Sequence, residues 1–212
     1  MRTYLRFRGL FHVLFACGLA AFVLISAAPA VAQMDDQVEG QEEMSAEEAA
    51  MMEAWQASMT PGPEHAHLAE MVGDYDMVVT MWEDPDGEPE IFTGTASRSM
   101  ILDGRVLHED VESEVMGQKF HGEARVGYDN VTDEYWSTWV DNMSTGLYWA
   151  RGEQKEDGTV VMMGKAPDPM AGALVEQKSV ISVDDDGIER QVTYEKRDGE
   201  WVKMLEIVYT PK

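Results

Sequence analysis

From Phe92 to Phe120 the chain reads FTGTASRSMILDGRVLHEDVESEVMGQKF, and this stretch decides the fold. Two glycine-bearing signals, Asp103-Gly104 and Gly117-Gln118, divide it into three runs of alternating character. Such pairs favour the two-residue turns that join antiparallel strands, because glycine adopts at little cost the positive φ those turns demand. With Asp103-Gly104 as a turn, Leu102 faces Arg105, and the ladder continues as Met100 with Leu107, Arg98 with Glu109, Ala96 with Val111 and Phe92 with Val115. With Gly117-Gln118 as the next turn, Val115 faces Phe120, Val111 faces Ala124, Glu109 faces Val126 and Leu107 faces Tyr128. Successive side chains point to opposite faces of a strand, so each turn assigns one set of residues to one face. Both turns select the same apolar set. Pattern and turn chemistry therefore agree, as they do where a sequence specifies one structure.

The punctuation continues outward from this stretch. Asp86-Gly87, Asp129-Asn130, Asp157-Gly158, Asp186-Gly187 and Asp198-Gly199 recur with β-branched and aromatic residues between them, the mark of a meander of hairpins. The strands expected are 74–83, 91–102, 105–115, 119–128, 134–141, 146–154, 159–165, 174–184, 188–196 and 201–210. The fold class is thus mainly β. About ten strands in up-and-down order close most economically into a single antiparallel barrel, since closure leaves no bare edge. The barrel domain is expected over 73–212.

Upstream the pattern changes. Ser45 with Glu48 forms a capping box before Ala49, Ala50, Met51, Met52, Ala54 and Trp55, so a helix opens there. Thr60-Pro61-Gly62-Pro63 stops it by residue 59, and a short helical turn over 64–72 completes a helical segment at 45–72. Residues 33–44 carry charge and little to bury, and are expected to be a disordered linker. Arg2, Arg6 and Arg8 precede an uncharged run from Gly9 to Ala32 that ends in Pro29-Ala30-Val31-Ala32, the order of a cleaved secretory signal. The run is also as long as the ~20 residues a membrane helix needs, so a retained anchor is the competing reading. Export with cleavage after Ala32 is the expectation, into a periplasm or beyond.

The only cysteine, Cys17, lies in that leader, so the mature chain has neither disulfides nor thiolate chemistry. The full chain carries a net charge of −24, with 40 acidic residues against 16 basic ones. Nucleic acid and anionic membranes repel such a surface, and neither is expected as a partner. No stable membrane insertion is expected after cleavage.

Several pieces quoted above, with others between them, also resemble a known family. Gly73-Asp74-Tyr75-Asp76, Trp82, Gly87-Glu88-Pro89, Gly94-Thr95-Ala96, Leu102-Asp103-Gly104-Arg105, Met116-Gly117-Gln118, Gly127-Tyr128-Asp129-Asn130, Ser137-Thr138-Trp139 and Met143-Ser144-Thr145-Gly146 look like the domain of unknown function 1579 family over about residues 61–210. The resemblance implies an exported bacterial protein with a calycin-like barrel. It implies no activity and no catalytic residues.

Within the apolar face Arg98 and Glu109 stand out, since a charged pair there demands an explanation. Arg98 can offer a guanidinium fork to an anionic head group while aromatic and methionine side chains hold an apolar tail. The alternative is an internal ion pair that fixes strand register. Tyr128, Tyr135, Trp136, Trp139, Tyr148 and Trp149 gather next, as a pocket wall or as ordinary core. Along 134–141, Tyr135, Ser137 and Trp139 share one face and Trp136, Thr138 and Val140 the other; sequence does not say which is inside. The candidate ligand-binding set is Arg98, Glu109, Tyr128, Trp139 and Trp149.

His65, His67, His108 and His121 match no zinc spacing, and a haem ligand, conceivable in a small barrel, is disfavoured because the derived register turns His108 and His121 to solvent. The acidic turns at 84–88 and 184–187 lack the spaced ligands of a calcium loop. No metal, cofactor or catalytic residue is expected. The leading expectation is a non-enzymatic barrel that holds a small hydrophobic or amphipathic molecule. The alternative is an interaction module with a side-chain-filled interior, the helix from Ser45 to Ser58 serving as lid or docking segment; an enzyme with Glu109 as base ranks third.

Overall fold

The computed structural model of the chain describes residues 44–84, 87–169 and 171–212. The expected leader at 1–32 and the expected linker at 33–44, apart from Met44, lie outside the described residues, as do two residues of the turn at 84–88.

Ser45 caps α1 (Ala46–Met59) as the capping box requires. The Glu48 amide donates to Ser45 Oγ at 3.2 Å, and the Ser45 amide donates to Glu48 Oε2 at 2.9 Å. Thr60 turns extended before Pro61, whose ring disfavours helical backbone in the residue it follows. Pro63 then starts α2 (Pro63–Glu70) at the first-turn position where its missing amide costs nothing.

Ten strands follow: β1 (Gly73–Met81), β2 (Glu90–Ile101), β3 (Val106–Val115), β4 (Gln118–Asp129), β5 (Glu134–Asp141), β6 (Tyr148–Gln154), β7 (Val160–Asp168), β8 (Ala173–Val183), β9 (Glu189–Arg197) and β10 (Glu200–Pro211). Each pairs antiparallel with the next, and β10 returns to β1, so the sheet is a closed barrel. Every expected strand is present, its ends within three residues of those read from the sequence.

The β2–β3 register is the one expected, with Arg98 opposite Glu109 and Ala96 opposite Val111. Its turn is wider than two residues. Pairing ends at Ile101 with Val106, and the Arg105 amide donates to the Ile101 carbonyl at 3.3 Å across a loop in which Leu102, Asp103 and Gly104 all have positive φ.

The β3–β4 register departs from expectation. Val115 faces Gln118, and Glu109 faces Ala124. The turn is therefore Met116-Gly117, with φ of 52° and 75°, the pair of left-handed residues a type I′ turn needs. Glycine takes the second central position rather than the first. The slip is two residues, and a two-residue slip leaves every side chain on its original face. The inward set survived for that reason.

Two layers of buried side chains occupy one end of the barrel. Leu68 of α2 packs with Leu107, Tyr135, Ala150, Val160 and Met162, which makes α2 a plug. Above it, Tyr75, Met77, Ala96, Val111 and Tyr209 form a second cluster. The Tyr75 hydroxyl donates to the Met71 carbonyl at 2.9 Å and ties the plug to β1. The end of α1 is held on the same side, where Arg105 Nη2 donates to the Met59 carbonyl and Asn130 Nδ2 to those of Ala57 and Thr60. No helix among the described residues is long and apolar enough to cross a membrane.

Candidate functional site: a barrel lumen with a buried charge cluster

The strands that leave α2 diverge around a cavity of about 580 Å³. It extends from Leu68 and Met71 at the plug to Met81, Phe92, Val115 and Met143 at the far end. Small side chains keep it open: Gly94, Ala124, Ser137, Gly146 and Ala166 all face it. A methyl group at Gly122 would sit 2.4 Å from the Trp139 ring, so glycine there lets the indole lie flat against β4.

The wall has two chemistries. From β1 to β4 it is mainly apolar, with Met77, Val79, Phe92, Val111, Val115 and Phe120, interrupted by Arg98, Glu109 and Ser113. Across β8 and β9 it is polar, with Gln177, Ser179, Gln191 and Thr193, and the Ser179 and Thr193 hydroxyls lie 3.0 Å apart. On β5, Tyr135, Ser137 and Trp139 face inward, which resolves the parity that sequence left open. Phe120 and Trp139 stack at 6.2 Å with 19° between their planes.

Arg98 lies between these regions at 6% exposure, with Glu109 at 7% and Glu189 at 5%. Its Nε donates to Glu109 Oε2. Nη1 and Nη2 form a fork on Glu189, at 2.7 and 3.0 Å. The Tyr75 and Tyr209 rings lie against the guanidinium, 4.7 and 4.3 Å from their centroids, within the range of cation–π attraction. Burial works against the guanidinium charge, yet the Glu109 carboxylate and the Glu189 hydrogen bonds outweigh it and raise the Arg98 pKa above its ordinary value. Burial, with the charge of Glu109 beside it, drives the Tyr209 phenol well above the ordinary range.

Of the five residues singled out from sequence, Arg98, Glu109 and Trp139 line the cavity. Tyr128 sits beneath it, edge-on to His65 at 6.0 Å and to Tyr135 at 5.0 Å. Trp149 stands outside at 49% exposure: β6 turns Tyr148 and Ala150 inward, and alternation sends the residue between them out. The role expected of Arg98 also changes, since Nε and both terminal nitrogens are already engaged by carboxylates. Sequence reading missed Glu189, Tyr75 and Tyr209. They come from β9, β1 and β10, 91 residues from Arg98 in the case of Glu189, and no local pattern joins them.

At the far end Asp141 accepts the Trp139 indole N–H at 2.9 Å and the amides of Met143 and Ser144 at 2.9 and 2.8 Å. This fixes the loop after β5 and the tilt of the indole. Burial pushes the Tyr135 phenol up to about 12, and its hydroxyl is buried without a hydrogen-bond partner.

On the outer face, His108, Asp110 and Glu123 each place a ligand atom within 4.8 Å of the others. His121 Nε2 lies 2.6 Å from Asp110 Oδ1. These side chains come together across the β3–β4 ladder, where Asp110 faces Glu123 directly, which is why no linear spacing announced them. The acidic turn at 184–187 folds on itself instead, Asp184 Oδ1 accepting the amides of Asp186 and Ile188 at 3.0 and 2.9 Å.

No curated protein matches this chain. Residues 60–211 match the family described as protein of unknown function, DUF1579, a span that takes in α2 and all ten strands. The chain belongs to that family.

Proposed function

We propose that this protein binds a small, mainly hydrophobic molecule in the barrel lumen, without chemical conversion, after export and removal of residues 1–32. One observation carries the reading: an unfilled interior of about 580 Å³, apolar along one wall and polar along the other. That volume lies in the range of small-molecule pockets, about 300–1,000 Å³, and the mixture of apolar walls with a few polar groups is their usual composition. An interior reserved for the protein's own packing would be filled, because voids larger than a methyl group cost stability. Glu109, the residue that a base-catalysed reaction would draw on, is held by Arg98 and by the Tyr209 hydroxyl.

The test is binding of the neutral fluorophore N-phenyl-1-naphthylamine, compared between the native protein and Ala124→Phe. Ala124 faces the lumen beside Trp139, and a phenyl ring there occupies the space. Saturable binding that Ala124→Phe abolishes, with an unchanged circular dichroism spectrum, is the expected result. No saturable binding to the native protein refutes lumen binding. Export has its own measurement: the periplasmic form should begin at Gln33.

A further inference from the structure

The charges that face the lumen do not balance. Its lining contains one guanidinium, Arg98, three carboxylates, Glu109, Asp141 and Glu189, no lysine, and one imidazole, His67, which pairs with Glu70 at the plug end. Arg98 spends its Nε and both terminal nitrogens on Glu109 and Glu189, so a ligand anion meets no free fork and must approach two buried carboxylates. Glu109 Oε1 keeps acceptor capacity, its one bond being a long contact of 3.4 Å from the Tyr209 hydroxyl. An unbalanced carboxylate in a low-dielectric cavity is costly, and a cation or strong donor placed beside it removes that cost.

The remaining lining points the same way. The stacked Phe120–Trp139 pair lines the same space, and aromatic rings attract ammonium groups. Met77, Met81 and Met143 supply soft apolar contact for a hydrocarbon body. Around the lumen lies a chain of net charge −24, and a cleft lined by one sign of charge concentrates the opposite ion.

We infer that the lumen ligand is an amphipathic organic cation, an amine or ammonium group on an apolar body, with its charged end directed to Glu109. This rests on the lumen-binding reading and reverses the sign of head group that Arg98 alone suggests. A series with one tail and three heads tests it: decylamine, decanol and decanoate, each displacing N-phenyl-1-naphthylamine from the native protein at 0.15 M salt.

Decanol reports on the lumen itself. Decylamine should displace the fluorophore at a concentration about tenfold below decanol, and decanoate at one about tenfold above, each step equivalent to ~1.4 kcal/mol. The preference should persist at 0.5 M salt, where attraction by exposed surface charge is largely screened, and Glu109→Gln should narrow the ratio of amine to alcohol. Decanoate equal to or better than decylamine overturns the inference while leaving lumen binding intact, as does an amine preference that vanishes with salt. Failure of decanol and decylamine alike also overturns the inference, and lumen binding then stands or falls by the Ala124→Phe comparison.

Discussion

Arg98 is where packing and chemistry meet. Two carboxylates and two tyrosine rings surround one guanidinium, so its deletion leaves Glu109 and Glu189 facing each other in an apolar interior. Removing one partner of a buried ion pair costs about 3–5 kcal/mol. Arg98→Met should lose stability in that range by urea unfolding, whereas the exposed pair of Lys196 with Glu176 should change it by about 1 kcal/mol or less. His121 makes a second point at this scale. Its hydrogen bond to Asp110, aided by the Asp110 charge, raises the imidazole pKa. The contribution is present below the ordinary histidine pKa and disappears as pH rises through the elevated folded value. Proton NMR should show His121 titrating above an unperturbed imidazole, and Asp110→Asn should bring it back.

At the scale of the element, turn chemistry governs. The β3–β4 turn puts Met116 at positive φ, an unfavourable place for a side chain without local hydrogen bonding. Met116 is 77% exposed and packs on little. Met116→Asn supplies the residue that type I′ turns prefer ahead of glycine, and should raise stability by about 1 kcal/mol in thermal unfolding, since a left-handed backbone costs most side chains roughly 1–2 kcal/mol and asparagine less. The same turn explains how much was legible in the sequence. Alternation of apolar residues on β2, β3 and β4 is strong, so inward faces are readable even with the turn misplaced by one residue and the register by two. Aromatic character points Trp149 to the lumen, but alternation sends it out, since Tyr148 and Ala150 on either side of it turn in. On β9 the inward residues Glu189, Gln191 and Thr193 are polar, so periodicity gave no hint that they line a cavity. Glu189 could be tied to Arg98 only once the ring of strands was closed.

At the scale of the whole molecule, excess negative charge opposes compaction. With −24 charges on 212 residues, repulsion among exposed carboxylates weakens as salt shortens the Debye length from about 30 Å at 0.01 M to about 8 Å at 0.15 M. The melting temperature should therefore climb between these concentrations. The buried Arg98 cluster is screened far less, so the Arg98→Met deficit should be similar at both.

Closure by β10 against β1 has a further bearing on how the molecule comes into being. The first strand made is the last to find its second neighbour, because that neighbour is the tenth. Without it the remaining sheet keeps two unpaired margins, β1 and β9, and any truncation within 200–211 would leave that state. Chains shortened there should be found in the insoluble fraction.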